Sequence, residues 1–364
     1  MICTSAPGKL YVAGEYAVVD PGQPAVLVAV DRRLTVRLDE PAEAGVGRVH
    51  SDVYPTGPLT WGREAGSGEV VVAHDARDHV GATLRTVDRL RAERGLAPGC
   101  FDVRISSDLE DEEGRKLGLG SSGAVVVALV AALDRFYRLG LTPVQRFQVA
   151  LLATVQVSPR ASGGDLAAST FGGWVRYTAP DRATLARALP LEPVSALLGS
   201  DAWETFDVQQ LPVPPDLDLL VGWTGSPAST DLLVAGVHGV DADAVARRAD
   251  FLAASSDCVG DLVAGLRCDP ARAMDAVRRA RRLLQELGRD SGTTIETERL
   301  RVLCAVAEQH GAAAKPSGAG GGDCGVALVP AAASSAGILA GWEAHGIRHL
   351  DLSVSPPSER SPGP

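Results

Sequence analysis

The chain alternates between two kinds of apolar pattern. Near its start, LYVAGEYAVV and AVLVAVDRRLTV are continuous apolar, β-branched runs separated by DPGQP. Pro and Gly together make a strong turn signal, so Met1 to Val36 is predicted to be a strand pair. Lys9, Glu15 and Tyr16 are polar residues set in this strand-like sequence, and Tyr16 is expected on a solvated sheet face. Residues 39–68 are rich in Gly, Pro and Glu and show no period, which predicts loops and short strands. In DHVGATLRTVDRLRAERG the apolar positions Val80, Leu84, Val87 and Leu90 have helical spacing, and Gly95 ends the run. FDVRISSDL reads as a strand that leads into the charged loop DLEDEEGRK.

The pattern then changes. From Lys116 to Leu139 the chain reads KLGLGSSGAVVVALVAALDRFYRL, and the run after Ser122 is apolar and long enough for about five helical turns, with Gly140 placed as a C-cap glycine. Thr142-Pro143 supplies an N-cap and an N1 proline for a second helix through about Val157. In SPRASGGDLAASTFGGWVRY, Gly163-Gly164 makes a flexible turn and puts Asp165 in the first turn of a short helix before a strand. Asp165 there is either a cap or a functional acid. Residues 180–210 form a Pro- and Ala-rich connection, and the domain break is expected near 190, giving domains 1–190 and 191–354. The second part opens with the buried strand LDLLVGWTG and the loop SPAST, then helical segments at about 241–265, 271–288 and 294–309. AAAKPSGAGGGDCGVALV carries five glycines between Gly318 and Gly325 and enters an apolar strand. Residues 355–364 are expected to be a disordered tail.

Composition narrows the partners. A net charge of −10 and a pI of about 5.2 argue against a nucleic-acid or anionic-membrane surface. The six cysteines are scattered without CxxC, which suits reduced thiols and no structural zinc. With no signal-peptide pattern and no run of about 18 apolar residues, the expectation is a soluble cytoplasmic protein. Its oligomeric state is not specified. The seven histidines show neither metal-ligand nor triad spacing.

The cation inventory says more. Of 35 basic residues only Lys9, Lys116 and Lys315 are lysines, and each lies in or beside a glycine-containing stretch. A chain that otherwise uses arginine keeps lysine where a compact ammonium is wanted, although Lys116 and Lys315 also read as surface charges beside loops. Gly118, Gly120 and Gly123 with Ser121 and Ser122 let backbone N–H groups approach an anion at a helix N-terminus. This stretch is a candidate phosphate cradle, weighed against a plain Gly-Ser turn entering a buried helix. It is not a dinucleotide fingerprint, since a charged loop precedes it instead of a strand, and no lysine follows to make a GxxxxGK[ST] loop.

Three separated motifs, APGKLYVAGEYAVV, KLGLGSSGA and KPSGAGGGDCG, resemble in this order the motifs of the GHMP kinase superfamily. Within it, GKLYVAGEYAVVDPGQPAVLVAVDR, GWTGSPAST and SGGDLAAS with FGGWVRY resemble the bacterial phosphomevalonate kinases. The resemblance implies an α/β (α+β) fold, with a ribosomal S5 domain 2-like N-terminal domain and a ferredoxin-like C-terminal domain. It implies phosphoryl transfer from ATP to 5-phosphomevalonate. Lys9 and Asp165 match the catalytic lysine and aspartate. Lys116, Gly118, Leu119, Gly120, Ser121, Ser122 and Gly123 would surround the ATP phosphates, with Ser122 reaching Mg²⁺. Gly318, Ala319, Gly320 and Gly321 would shape the substrate side. Arg160, Ser162 and Gly163 share the loop with Asp165; Arg160 is a bidentate partner for the acceptor's carboxylate or phosphate, or a solvated loop arginine. Ser229 and Thr230 are candidate hydroxyl donors to the substrate. Two features depart from the pattern: Gly123-Ala124 stands where Ala-Ala is common, and LLATVQVSPRASGGD has no carboxylate before Asp165 to complete a metal site. The alternatives are mevalonate kinase or another small-molecule GHMP kinase, the related diphosphomevalonate decarboxylase, and a nucleotide-binding regulator without catalysis.

Overall fold

A computed structural model describes residues 1–51, 58–72, 78–226, 233 and 242–358. The first strand, β1 (Ile2–Ala13), pairs antiparallel with β2 (Pro24–Asp39), so the predicted strand pair is present with Lys9 opposite Ala29. The strand run is shorter than the apolar sequence suggests. After Ala13 the chain leaves the sheet through Gly14, at φ 92°, where a Cβ would come within 2.4 Å of the Pro24 carbonyl oxygen. Tyr16 follows at φ 63°, and Ala17–Val19 form a single 3₁₀ turn. Tyr16 is therefore not on a solvated sheet face; it is 4% exposed, packed with Leu284 and Ile295.

The larger sheet adds β3 (Gly47–His50), β4 (Leu59–Arg63), β5 (Val70–Val72), β6 (Asp102–Ser107), β7 (Trp174–Thr178) and β8 (Asp207–Leu211). Its order is β5-β4-β3-β6-β2-β7-β8, with β1 also paired to β2. Packed around it are α1 (His79–Glu93), α2 (Ser121–Tyr137), α3 (Pro143–Val157) and α4 (Gly164–Phe171), with α2 and α4 lying on β1 and β2. The four spaced apolar residues of α1 are all buried. Thr142 closes a capping box with Gln145 at the start of α3, as the Thr-Pro pair predicts. The end of α2 differs from expectation: its C-cap is Arg138 in the left-handed region, φ 54°, and Gly140 lies two residues farther on.

Two short helices, α5 (Arg182–Ala188) and α6 (Val194–Leu197), make up the connection, and β8 still pairs with β7. The sheets thus divide the chain later than residue 190, since the smaller sheet begins only at β9 (Leu217–Trp223). Then come α7 (Ala242–Cys268), α8 (Pro270–Ser291), α9 (Glu298–Gln309), β10 (Ala313–Pro316), β11 (Cys324–Pro330), α10 (Ala336–Ala344) and β12 (Arg348–Leu350). The order β10-β11-β9-β12, all antiparallel, places the fourth strand beside the first and the third beside the second, the ferredoxin-like arrangement. The final residues return to the larger sheet. Ser355 donates its N–H to Ala29 and Ser358 donates to Phe171, so 355–358 are held and not a loose tail; 359–364 lie outside the described residues. Gly172 is required at this crossing, since a Cβ there would meet the Pro356 carbonyl oxygen at 2.3 Å. No described helix is long and apolar enough to cross a membrane.

Candidate active site

The glycine-serine loop is held by its own alternation. Leu117 and Leu119 are buried, and the glycines that follow each of them, Gly118 and Gly120, face other chain segments. Gly118, at φ 76°, leaves room for Asp323, which a Cβ would approach to 2.6 Å; Gly120, at φ 79°, leaves room for the Lys9 stem at 2.8 Å. Gly120 is the N-cap of α2 and no side chain caps the first turn. The amides at the start of α2 therefore have no capping side chain, and with the helix dipole they favour an anion.

This helix end opens into a cleft of about 500 Å³ lined by both domains. Lys9, in the middle of β1, donates from its Nζ to the Gly118 carbonyl at 3.3 Å and from its backbone N–H to Leu119 at 2.9 Å. Its ammonium also lies 5.6 Å from the centre of the Tyr11 ring. Asp165, in the first turn of α4, lies against the loop from the other side: a Cβ at Gly123 would be 2.5 Å from its Oδ2. Thus both Lys9 and Asp165 flank the cradle, and Gly123 is the residue that admits the Asp165 carboxylate. Among the described residues, no salt bridge neutralises either group.

The loop before Asp165 is fixed by two tyrosines. Tyr11 Oη and Ser162 Oγ lie 2.7 Å apart, Ser162 Oγ accepts the Gly164 N–H at 3.2 Å, and Tyr177 donates to the Ser162 carbonyl at 2.8 Å. Gly163 sits at φ 81°, and a Cβ there would be 2.8 Å from Tyr177 Oη. Burial, with the Asp165 charge added, pushes the Tyr11 phenol well up, so it stays protonated as a hydrogen-bonding group. Arg160 and Lys116 are exposed and line the cleft. Ser121 and Ser122 line it from the first turn of α2. Gly318 and Ala319 line the cleft from the third motif, but Gly320 and Gly321 turn toward Ile295, whose carbonyl accepts the Gly321 N–H at 2.8 Å. Ser229 and Thr230 lie outside the described residues.

Several residues of the site carried no functional assignment from sequence. Lys315 is not a surface charge: it is wholly buried and ion-paired with Glu15, which is 4% exposed. Tyr16 donates to the Ala319 carbonyl at 2.6 Å. Arg182, 7% exposed, donates to the carbonyls of Val19 and Ala161, two residues of the cleft wall. The usable signals were the rarity of lysine and the two polar residues inside an apolar run; nothing local marks Arg182.

The sequence matches the pattern described as GHMP kinases N terminal domain over residues 81–173 and GHMP kinases C terminal over 270–347. It is 45% identical to a phosphomevalonate kinase from Streptomyces sp. (strain CL190), over 97% of this chain and 96% of that protein. A mevalonate kinase from Thermococcus sibiricus is 27% identical over 90% of this chain and 89% of its own. The fold matches a solved structure of Streptococcus pneumoniae phosphomevalonate kinase in complex with phosphomevalonate and AMPPNP. That match has a TM-score of 0.83 and 30% identity, covering 97% of this chain and 100% of the other.

Proposed function

The chain belongs to the GHMP kinase family, and from that membership we propose that it transfers the γ-phosphoryl group of ATP to 5-phosphomevalonate, forming 5-diphosphomevalonate on the mevalonate route to isoprenoids. The observation that carries this reading is the 45% identity, spanning 97% of the chain, with a phosphomevalonate kinase. The geometry is consistent with it.

An acceptor phosphate monoester has a second pKa of about 6, so at neutral pH it is already largely a nucleophilic dianion. A general base has little to remove. The larger barrier is repulsion between two polyanions, since each pair of unit charges at 4 Å costs about 4 kcal/mol at an effective dielectric of 20. Lys9 beside the α2 N-terminus is the group suited to offset that repulsion, because its ammonium would bridge donor and acceptor oxygens as charge builds between them. Asp165 would orient Lys9 and the acceptor. For an alcohol acceptor such as mevalonate, the same carboxylate would serve as base. Lys116 and Arg160 add cations at the cleft that a chain of net charge −10 lacks on average.

Mg²⁺ fits the donor chemistry of the cleft. The Ser122 hydroxyl and the Asp165 carboxylate are hard oxygen donors, and no group of three or more His, Cys, Asp or Glu is present among the described residues. A site with few protein ligands, completed by phosphate oxygens and water, is the kind Mg²⁺ favours over an all-protein cage. Bound there, the ion would neutralise phosphate charge during transfer. Coupled ADP release with Mg-ATP, offering mevalonate, 5-phosphomevalonate or 5-diphosphomevalonate in turn, tests the reading. Turnover confined to 5-phosphomevalonate is expected; turnover with mevalonate instead would overturn the acceptor and return Asp165 to the role of base.

A further inference from the structure

The third motif reaches the cleft with Ser317, Gly318, Ala319 and Asp323; Gly318-Ala319 between them has no polar side chain with which to hold a substrate, so its use depends on where its backbone is kept. Three successive residues of this loop are gripped by the first motif. Ser317 Oγ accepts the Tyr11 N–H at 2.9 Å and donates to the Tyr11 carbonyl at 3.0 Å. The Gly318 N–H reaches Glu15 Oε1 at 3.3 Å, on the same carboxylate that pairs with Lys315. The Ala319 carbonyl accepts the Tyr16 phenol at 2.6 Å.

Tyr16 makes that bond from φ 63°, ψ −38°, a backbone region that bulky L-residues rarely occupy. Strain of this kind persists only where the surroundings over-determine it, and it concentrates at ligand clamps and active sites. Here the surroundings are explicit. The ring packs with Leu284 and Ile295, and the Tyr16 carbonyl accepts from Arg248 at 2.8 Å, itself ion-paired with Asp20. Burial, and the Glu15 charge after it, push the phenol well up, which keeps it a donor at any working pH.

We propose that Tyr16 is a positioning residue: with Glu15 it fixes the Gly318-Ala319 backbone of the C-terminal domain against the N-terminal domain, and so sets the wall on which the phosphorylated acceptor, not ATP, is seated. The assignment to the acceptor rests on the functional reading above. There the α2 end and residues 118–123 take the nucleotide phosphates, which leaves the wall of Tyr16, Val19, Ser162 and Gly318 for the other substrate.

Tyr16→Phe keeps the packed ring and removes only the hydroxyl. Steady-state rates with ATP and 5-phosphomevalonate varied separately should show kcat/KM for the acceptor reduced at least tenfold. The KM for ATP, and ATP affinity measured by calorimetry without acceptor, should stay within twofold of wild type. Arg248→Met, which leaves the hydroxyl but releases the strained carbonyl, should shift the acceptor parameters in the same direction and provides a readout if the Phe variant does not fold. An equal loss toward both substrates, or no loss toward the acceptor, would overturn the proposal. Failure of the wild type to use 5-phosphomevalonate would count against the functional reading alone; the Tyr16 comparison would then be run on whichever acceptor it does use.

Discussion

Replacing Lys315 by Met should destabilise the protein far more than replacing Lys315 and Glu15 together. The Lys315 side chain is 0% exposed and that of Glu15 3%. The ammonium donates to Glu15 and to the Pro316 carbonyl, and the carboxylate also accepts the Gly318 N–H. Taking away the ammonium leaves a buried carboxylate with one long hydrogen bond, a situation that costs about 3–5 kcal/mol. In Glu15→Gln/Lys315→Met neither charge is buried, and the glutamine oxygen can still accept from Gly318. Replacement of a buried pair by neutral groups of similar volume is often close to neutral. The double variant should therefore lie within about 1–2 kcal/mol of wild type, well short of the sum of the two single changes. Urea unfolding followed by tryptophan fluorescence reports on both domains through Trp174 in the larger sheet and Trp223 in the smaller one. The four proteins of the cycle would be compared by their midpoints at constant slope. A double variant as unstable as Lys315→Met would refute the reasoning, because the loss would then come from packing around residue 315 and not from an orphaned charge.

Lys9→Met should lower kcat by about 10²–10³, the scale of one preorganised electrostatic contact, with an unchanged melting temperature; ADP release and a thermal melt decide it. Gly123→Ala would place a Cβ 2.5 Å from Asp165 Oδ2, so the carboxylate has to move. Turnover should fall about tenfold or more while the unfolding free energy from urea titration stays within about 1 kcal/mol of wild type, as for a change that only displaces a side chain lining the cleft. Asp88 is buried, which pushes its carboxyl up, but hydrogen bonds from Arg63 and Arg91 outweigh burial and hold it below the usual carboxylate range. A carboxyl depressed in the folded state contributes stability above the unfolded pKa of about 4 and loses it as pH falls below that value. Asp88→Asn should thus be less stable at pH 7 by about 3 kcal/mol and show a flatter acid limb below pH 4 in urea titrations at stepped pH.

Local physics made much of the molecule legible in the sequence. The spaced apolar residues of α1, the Thr142-Pro143 cap of α3 and the alternating Leu and Gly of residues 117–120 are decided within a few residues of chain. Such features have the same cause in a peptide as in the fold. Lys9 and Asp165 could be nominated because their neighbours also leave a signature: a lysine in a chain of arginines, and an acid after a glycine pair. These are short-range facts.

Other features were set by residues far away in the chain. The run GEYAVV is as apolar as a strand, but β2 passes so close to Gly14 that the chain must turn out of the sheet, and Tyr16 is buried instead of solvated. Residues 355–358 look like a polar tail until β2 and the end of α4 offer them backbone partners at Ala29 and Phe171. Lys315 and Glu15 are separated by 300 positions, and Tyr16 and Ala319 by 303. Hydrogen bonds and ion pairs depend on distance in space, and sequence patterning carries only distance along the chain. The sequence determined the pieces of the phosphate cradle and the elements that carry them; the meeting of the first and third motifs across two domains was decided only when both sheets had formed and their packing brought those residues within bonding reach.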